Sequence, residues 1–176
     1  LYIALQHTSK DMLKIMNRRN KVLSDLELFE FLSQNGYALG TDFIVGHPGE
    51  TQELWNEAMK NLHNFPLTHI HAFTYSKRDG TPSASMKDIV KGDVAKDRYI
   101  ELIEIIKQKN YEFRQNIKNN KVKLEVLVEQ EKNGKYLGFD QFFNQVEISS
   151  NEDLVSDWLN LEDYKVEFNK NEARFK

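Results

Sequence analysis

Cysteine is absent from the sequence. A chain without thiols forms no disulfide and no zinc knuckle, and it offers no thiolate to an iron–sulfur cluster. Long apolar runs are absent too: none approaches the roughly 20 residues that span a bilayer. No basic stretch followed by an apolar one opens the chain, so neither a membrane span nor a signal peptide is predicted, and a soluble, cytoplasmic protein is expected. An excess of one charge is also missing. The 24 Lys+Arg stand against 27 Asp+Glu, a net charge of −3, so there is no global electrostatic footprint for nucleic acid and any RNA contact must come from a local patch. No internal repeat or low-complexity tract occurs. What is present, 40% hydrophobic and 29% charged residues, is the make-up of a globular protein with a core. At 176 residues and 20.7 kDa the chain has room for one ordinary domain or two small ones, and is too short for a complete barrel.

The first residues, Leu1-Tyr2-Ile3-Ala4-Leu5, form an apolar run of strand character with no preceding cap or turn, so the chain is expected to begin in mid-fold. Thr8, with Asp11 three positions on and Met12, Leu13 and Met16 behind, predicts a short helix. Ser24 with Glu27 predicts a second, ending at Asn35-Gly36. Tyr37 to Val45 reads as a buried strand running into the turn Gly46-His47-Pro48-Gly49, after which Leu54, Trp55, Ala58, Met59 and Leu62 recur at helical spacing. Leu67 to Tyr75 reads as a third strand, followed by a polar loop and a helix over about 94–118. The order βαβαβα predicts parallel strands with crossover helices, in an open doubly wound sheet or part of a barrel.

From Lys121 the apolar residues alternate, Asn133-Gly134 marks a hairpin, and further short strands are expected over 136–139, 143–148 and 164–168. A small antiparallel barrel is predicted. The boundary is placed between 119 and 120, and the segment from 121 onward carries 8 Lys+Arg against 12 Asp+Glu, a balance of −4 that argues against strong RNA binding by it alone.

Three motifs carry a resemblance. Leu5-Gln6-His7-Thr8-Ser9 with Leu13-Lys14-Ile15-Met16-Asn17-Arg18 resembles the LQSGS…LKxMNR segment of radical S-adenosylmethionine methylthiotransferases. Thr41-Asp42-Phe43-Ile44-Val45-Gly46-His47-Pro48-Gly49-Glu50-Thr51 is similar to that family's TDxIVGFPGET, and Phe73 to Pro82 to its FxYSxRxGTP. The tail resembles the TRAM domain in strand pattern and position. The resemblance implies an α/β chain: half of a (β/α)6 partial TIM barrel, three βα units, then a TRAM-like β-domain. It implies S-adenosylmethionine as cofactor, and [4Fe–4S] clusters whose cysteines would lie on an upstream part of the same polypeptide. It also implies tRNA as partner, at the anticodon stem-loop, with the Lys77-Arg78 form of the third motif nearer the threonylcarbamoyladenosine branch than those acting on isopentenyladenosine or a ribosomal protein. The chain alone is expected to be inactive and to bind the cofactor weakly or not at all.

By the same resemblance, Gln6 and Asp42 are candidates for the cofactor's ribose hydroxyls and Arg18 for its carboxylate. The chemistry suits: a carboxylate accepts from both hydroxyls of a diol, an amide donates and accepts, and a guanidinium forks onto a carboxylate. Ile44, Val45 and Phe73 are candidates for adenine contact, or are simply core. The Gly46–Gly49 turn is expected to let backbone approach the ligand. Arg19 competes with Arg18, Gln6 could be a strand-end amide, and Glu50-Thr51 reads mainly as the start of a helix. His69 and His71 share a strand face but lack a visible third metal ligand. Tyr75, Lys77 and Arg78 suit a nucleotide's base and phosphate, and Lys121, Lys123, Lys135, Tyr136 and Phe139 are RNA candidates in the tail. A non-catalytic module holding RNA or a partner is the competing class. A flavodoxin-like phosphate turn at Gly46–Thr51 lacks the required glycine spacing.

Overall fold

The computed structural model describes residues 1–175 and divides into two compact units, residues 1–106 and 107 onward. In the first, α1 (Lys10–Ile15), α2 (Val22–Gln34), β1 (Gly40–Val45), α3 (Gln52–Asn64) and β2 (His69–Thr74) are followed by a 3-10 turn (Pro82–Ser85). The long helix α4 (Gly92–Asn119) begins in the first unit and ends in the second.

β1 and β2 pair in parallel, from Gly40 opposite His69 to Val45 opposite Thr74. The expected first strand is not regular. Residues 1–6 run beside β1 as two isolated parallel bridges, Tyr2 with Gly40 and Gln6 with Phe43. The cause is one side chain of β1: the Leu5 amide donates to the Thr41 hydroxyl at 2.9 Å, which takes the place of a ladder bond, although Gln6 still bonds Asp42 and Ile44 on either side. Gly40 is required here, because a Cβ would lie 2.3 Å from the Tyr2 ring. Two strands and a bridged segment form a parallel layer.

The helix ends follow side-chain oxygens in part. Ser9, and not Thr8, caps α1 by accepting from the Met12 amide, while the Thr8 hydroxyl is buried and donates to the Ala58 carbonyl. Thr51 caps α3 as read. The Ser24–Glu27 box does not operate: α2 starts at Val22, three residues before the start that Ser24 as cap would set, with no side-chain cap. That start brings Val22 and Leu26 onto the stripe that packs with Phe29, so burial outweighs a cap worth about 1 kcal/mol. Phe43 stands edge-on to Trp55 at 6.3 Å and Phe29 edge-on to Phe65 at 5.4 Å in the core of this unit. Trp55 donates its indole N–H to Glu101 at 2.7 Å.

The second unit is a six-stranded sheet in the order β6-β3-β4-β5-β8-β7, with β3 Leu124–Lys132, β4 Lys135–Asp140, β5 Gln145–Ser149, β6 Trp158–Leu161, β7 Tyr164–Val166 and β8 Asn171–Arg174. It is mixed, not purely antiparallel, because β5 and β8 run parallel. β6 and β7 lie at opposite ends of that order yet are joined by only Glu162 and Asp163, so the sheet must curl to bring its edges near each other. Asn133 and Gly134 both take positive φ, 55° and 75°, the two-residue hairpin that matches strand twist. Arg114 on α4, 1% exposed, donates to the carbonyls of Glu167, Phe168 and Lys170 and to the side chains of Asn110 and Asn171, tying helix to strand within this unit. No helix among the described residues is long and apolar enough to cross a membrane.

Candidate functional site

A cleft of about 550 Å3 opens at the C-terminal ends of the parallel layer, lined by Gln6, Met16, Arg18, Asp42, Ile44, His47, Phe73, Tyr75 and Arg78 among others. Strand alternation builds one wall. Thr41, Phe43 and Val45 turn to the core, while Asp42 and Ile44 stand half-buried on the other face, opposite His71 and Phe73 of β2. Val45 therefore does not meet the cleft: it is fully buried, its parity being that of Phe43. Its carbonyl accepts from the Tyr75 amide instead, which fixes where the chain leaves β2.

Gln6 and Arg18 arrive by backbone turns. Gln6 has φ 67° and Asn17 φ 54°, left-handed conformations that non-glycine residues adopt at some cost. After Asn17 the chain bonds back through the Arg18 amide to the Leu13 carbonyl, and Arg18 Nη2 donates to Gln6 Oε1 at 3.2 Å. Arg19 does not line the cleft. Asp42 Oδ1 lies 3.7 Å from His71 Nδ1, and the His71 ring lies 4.7 Å from that of Tyr2. Burial, and then the Asp42 charge, push the Tyr2 phenol up to about 12, so it stays protonated at neutral pH.

His47 is 5% exposed; its Nδ1–H donates to the Pro48 carbonyl at 2.8 Å, which leaves Nε2 as the acceptor of a neutral ring. Burial holds its pKa below the ordinary histidine value. The His47 ring meets Tyr75 edge-on at 5.1 Å, and the Tyr75 hydroxyl is buried with no hydrogen-bond partner among the described residues. The glycines of this turn do not serve close approach of a ligand. A Cβ on Gly46 would fall 2.9 Å from Ala95 of α4, and one on Gly49 would face Ile15 and Met86, so the turn packs against protein and His47 is what it presents.

Beneath the turn lies a group that sequence patterning did not single out as a unit. Glu50, buried, accepts from the Gly46 amide at 2.6 Å and from Arg98 Nη1 at 3.0 Å on one oxygen, and pairs with His7 Nε2 at 3.3 Å on the other. The Ser9 amide donates to His7 Nδ1, which puts the neutral ring's proton on Nε2, facing Glu50. The available signal was Arg98: it stands four residues before Leu102 on the packed stripe of α4, a charge where an apolar residue belongs.

Within each unit the proposed RNA residues are only partly brought together. Tyr75 and Arg78 line the cleft, and Lys77 is exposed outside it. In the second unit Lys121 is exposed and Lys123 is paired with Glu162 at 2.5 Å near the start of β3. Lys135 and Tyr136 lie at the hairpin end, about 30 Å away along a nine-residue strand. Tyr136 packs against the second core, and Phe139 stacks on Phe143 at 4.9 Å. Among the histidines, His71 faces Asp42 and His69 Nδ1 meets the Thr68 hydroxyl at 2.7 Å, and no cluster of three metal-ligating side chains occurs among the described residues.

A polar wall of carboxylate, amide, guanidinium and imidazole beside the apolar surfaces of Met16, Ile44 and Phe73 suits a ligand with hydroxyls, a carboxylate and a flat ring. No family model matches the chain. Individual proteins do: it is 45% identical over 175 residues to a Helicobacter pylori (strain J99) protein named "Putative methylthiotransferase", covering 99% of this chain and 42% of that protein. The chain belongs to the methylthiotransferase family. A second methylthiotransferase, ribosomal protein uS12 methylthiotransferase RimO of Caldanaerobacter subterraneus, is 38% identical over 139 residues, 77% of this chain and 31% of its own length. A third, threonylcarbamoyladenosine tRNA methylthiotransferase MtaB of Bacillus subtilis, is 29% identical over 180 aligned residues, 99% of this chain and 40% of its own length. The chain thus spans well under half the length of these methylthiotransferases.

Proposed function

We propose that this chain is the C-terminal part of a cytoplasmic radical S-adenosylmethionine methylthiotransferase that places a methylthio group on C2 of N6-threonylcarbamoyladenosine next to the tRNA anticodon. The observation that carries the reading is the convergence of Gln6, Arg18 and Asp42 on one cleft at the strand ends of a methylthiotransferase. The chemistry of the donor set fits the cofactor. Asp42 and Gln6 would take the ribose hydroxyls, Arg18 the methionine carboxylate, and Ile44 and Phe73 the adenine face. The partnerless Tyr75 hydroxyl offers a further polar contact. S-adenosylmethionine supplies the methyl group and, with a [4Fe–4S] cluster, the hydrogen-abstracting chemistry of such enzymes. The cluster thiolates belong to another part of the polypeptide, because this chain has no cysteine, and the chain alone is inactive.

For the substrate, the alignment with MtaB over 99% of this chain and the cationic Lys77-Arg78 loop beside the cleft favour the tRNA. Ribosomal protein is the second reading, favoured by the higher identity to RimO. Nucleoside and ribosomal-protein mass spectrometry on a strain deleted for the parent gene separates them. The tRNA reading expects 2-methylthio-N6-threonylcarbamoyladenosine to vanish and its unthiolated precursor to accumulate. Loss of a modification on uS12 with tRNA unchanged would overturn it.

A further inference from the structure

The cleft is tiered along its strands. Asp42 stands opposite His71 in the first tier, and Ile44 opposite Phe73 in the second. Tyr75 lies two positions beyond Phe73, about 6.6 Å further along the strand direction, and its amide still bonds the Val45 carbonyl, so its side chain continues the cleft face. His47, three residues beyond Ile44, meets the Tyr75 ring and lines the same cleft. A polar tier, an apolar tier and a second polar tier follow in that order. The donor set assigned to ribose and carboxylate uses the first tier and leaves His47 without a task.

The His47 ring is held before any ligand arrives. Its Nδ1–H is committed to the Pro48 carbonyl at 2.8 Å, and Tyr75 meets it edge-on at 5.1 Å. The backbone beneath is pinned as well: the Gly46 amide donates to Glu50 at 2.6 Å, and Gly46 packs so closely on Ala95 that a Cβ would not fit. With Nδ1 spent, the lone pair sits on Nε2, and no hydrogen bond to that atom forms among the described residues. Burial keeps the ring neutral at pH 7, which preserves the lone pair. The neighbouring Tyr75 hydroxyl is a buried donor without a partner, so the two touching rings do not satisfy each other. A fixed acceptor and an unspent donor at the end of an apolar slot complement a flat ring whose edge carries an amine beside a bare ring nitrogen. Adenine has such an edge, its 6-amino group next to a ring nitrogen acceptor.

We propose that His47 is the specificity-determining residue of this cleft: its Nε2 accepts from the 6-amino group of an adenine whose face lies on Ile44 and Phe73, while the Tyr75 hydroxyl donates to the adjacent ring nitrogen. This rests on the S-adenosylmethionine reading above and adds to it the selection of a 6-aminopurine over a purine lacking the amine.

The test is equilibrium dialysis of the full-length enzyme with S-adenosylmethionine and with its analogue carrying hydrogen in place of the 6-amino group, for wild type, His47→Phe and Asp42→Asn. Wild type is expected to prefer the amine by about five- to tenfold. His47→Phe keeps a ring of similar size and removes the acceptor, so it should weaken S-adenosylmethionine and leave the analogue nearly unchanged, bringing the two within about twofold. A residue that only shaped the turn would shift both ligands together. Asp42→Asn should weaken both alike. The wild-type comparison needs no variant, so it decides the matter even where His47→Phe fails to fold. Equal affinities in wild type, or a preference that survives in His47→Phe, overturn the role of His47 while the cleft reading stands on the Asp42→Asn result. Affinities that Asp42→Asn leaves unmoved overturn the cleft reading, and the role of His47 with it.

Discussion

His7 and Glu50 meet at 3.3 Å with both side chains sealed from solvent, and the carboxylate that His7 touches also holds the Gly46 amide and Arg98. One buried carboxylate thus joins the residue after Gln6, the turn bearing His47, and α4. Removing one partner of a buried ion pair leaves the other charge uncompensated, at a cost of about 3–5 kcal/mol. Glu50→Ala is therefore expected to destabilise the protein by that amount, and Arg98→Met similarly, in urea unfolding at pH 7. A change below about 1 kcal/mol would mean that the network relaxes to solvent.

His47 links the cleft to pH. Its pKa is lowered in the folded state, chiefly by burial, so the unfolded chain binds its proton more readily. Stability from this group is fully present above the ordinary histidine value and is lost as pH falls through the lower folded value. Urea midpoints measured from pH 7.5 to 5 should decline through this window. The decline should be smaller in His47→Phe, which keeps a ring against Tyr75 and removes the titration. An equal decline in the variant would exclude His47 as a source.

Tyr75→Phe separates structure from binding. Deleting a buried hydroxyl that has no partner should leave stability unchanged within about 0.5 kcal/mol or raise it slightly. If that hydroxyl serves the cofactor, the same variant of the full-length enzyme should bind S-adenosylmethionine about five- to tenfold more weakly, by equilibrium dialysis. Unchanged affinity would remove Tyr75 from the pocket.

Arg114→Met tests the second unit. The arginine satisfies three carbonyls of the 167–170 turn and the Asn171 side chain, and each buried acceptor left unpaired costs about 1–3 kcal/mol. Amide exchange should show loss of protection across β7 and β8 first. Uniform protection in the variant would mean that water replaces the guanidinium without penalty.

Periodicity made α2, α3, α4, β1 and β2 legible, because each carries an apolar stripe of its own period. Asn133-Gly134 and Thr51 were legible for local reasons, a backbone conformation and a cap. What escaped depends on side chains from elsewhere. The first strand is broken by the Thr41 hydroxyl, 36 residues away in sequence from the amide it takes. β8, Asn-Glu-Ala-Arg, has almost no strand propensity and is held by pairing to β5 and by Arg114. In the cleft, residue type and motif order brought Gln6, Arg18 and Asp42 to attention, whereas Val45 failed on parity alone. Glu50 looked like the start of a helix because a loop residue shows no periodicity to reveal that it points inward.

In the proposed function the cleft between Gln6, Arg18 and Asp42 is one side of an S-adenosylmethionine pocket. Titrating the 15N-labelled chain with S-adenosylmethionine, followed by amide chemical shifts, tests it most directly. Weak, millimolar-range shifts confined to Gln6, Asp42, Ile44, Phe73, Tyr75 and their neighbours, abolished in Asp42→Asn, are predicted. Shifts centred elsewhere, or unaltered by that substitution, would contradict it.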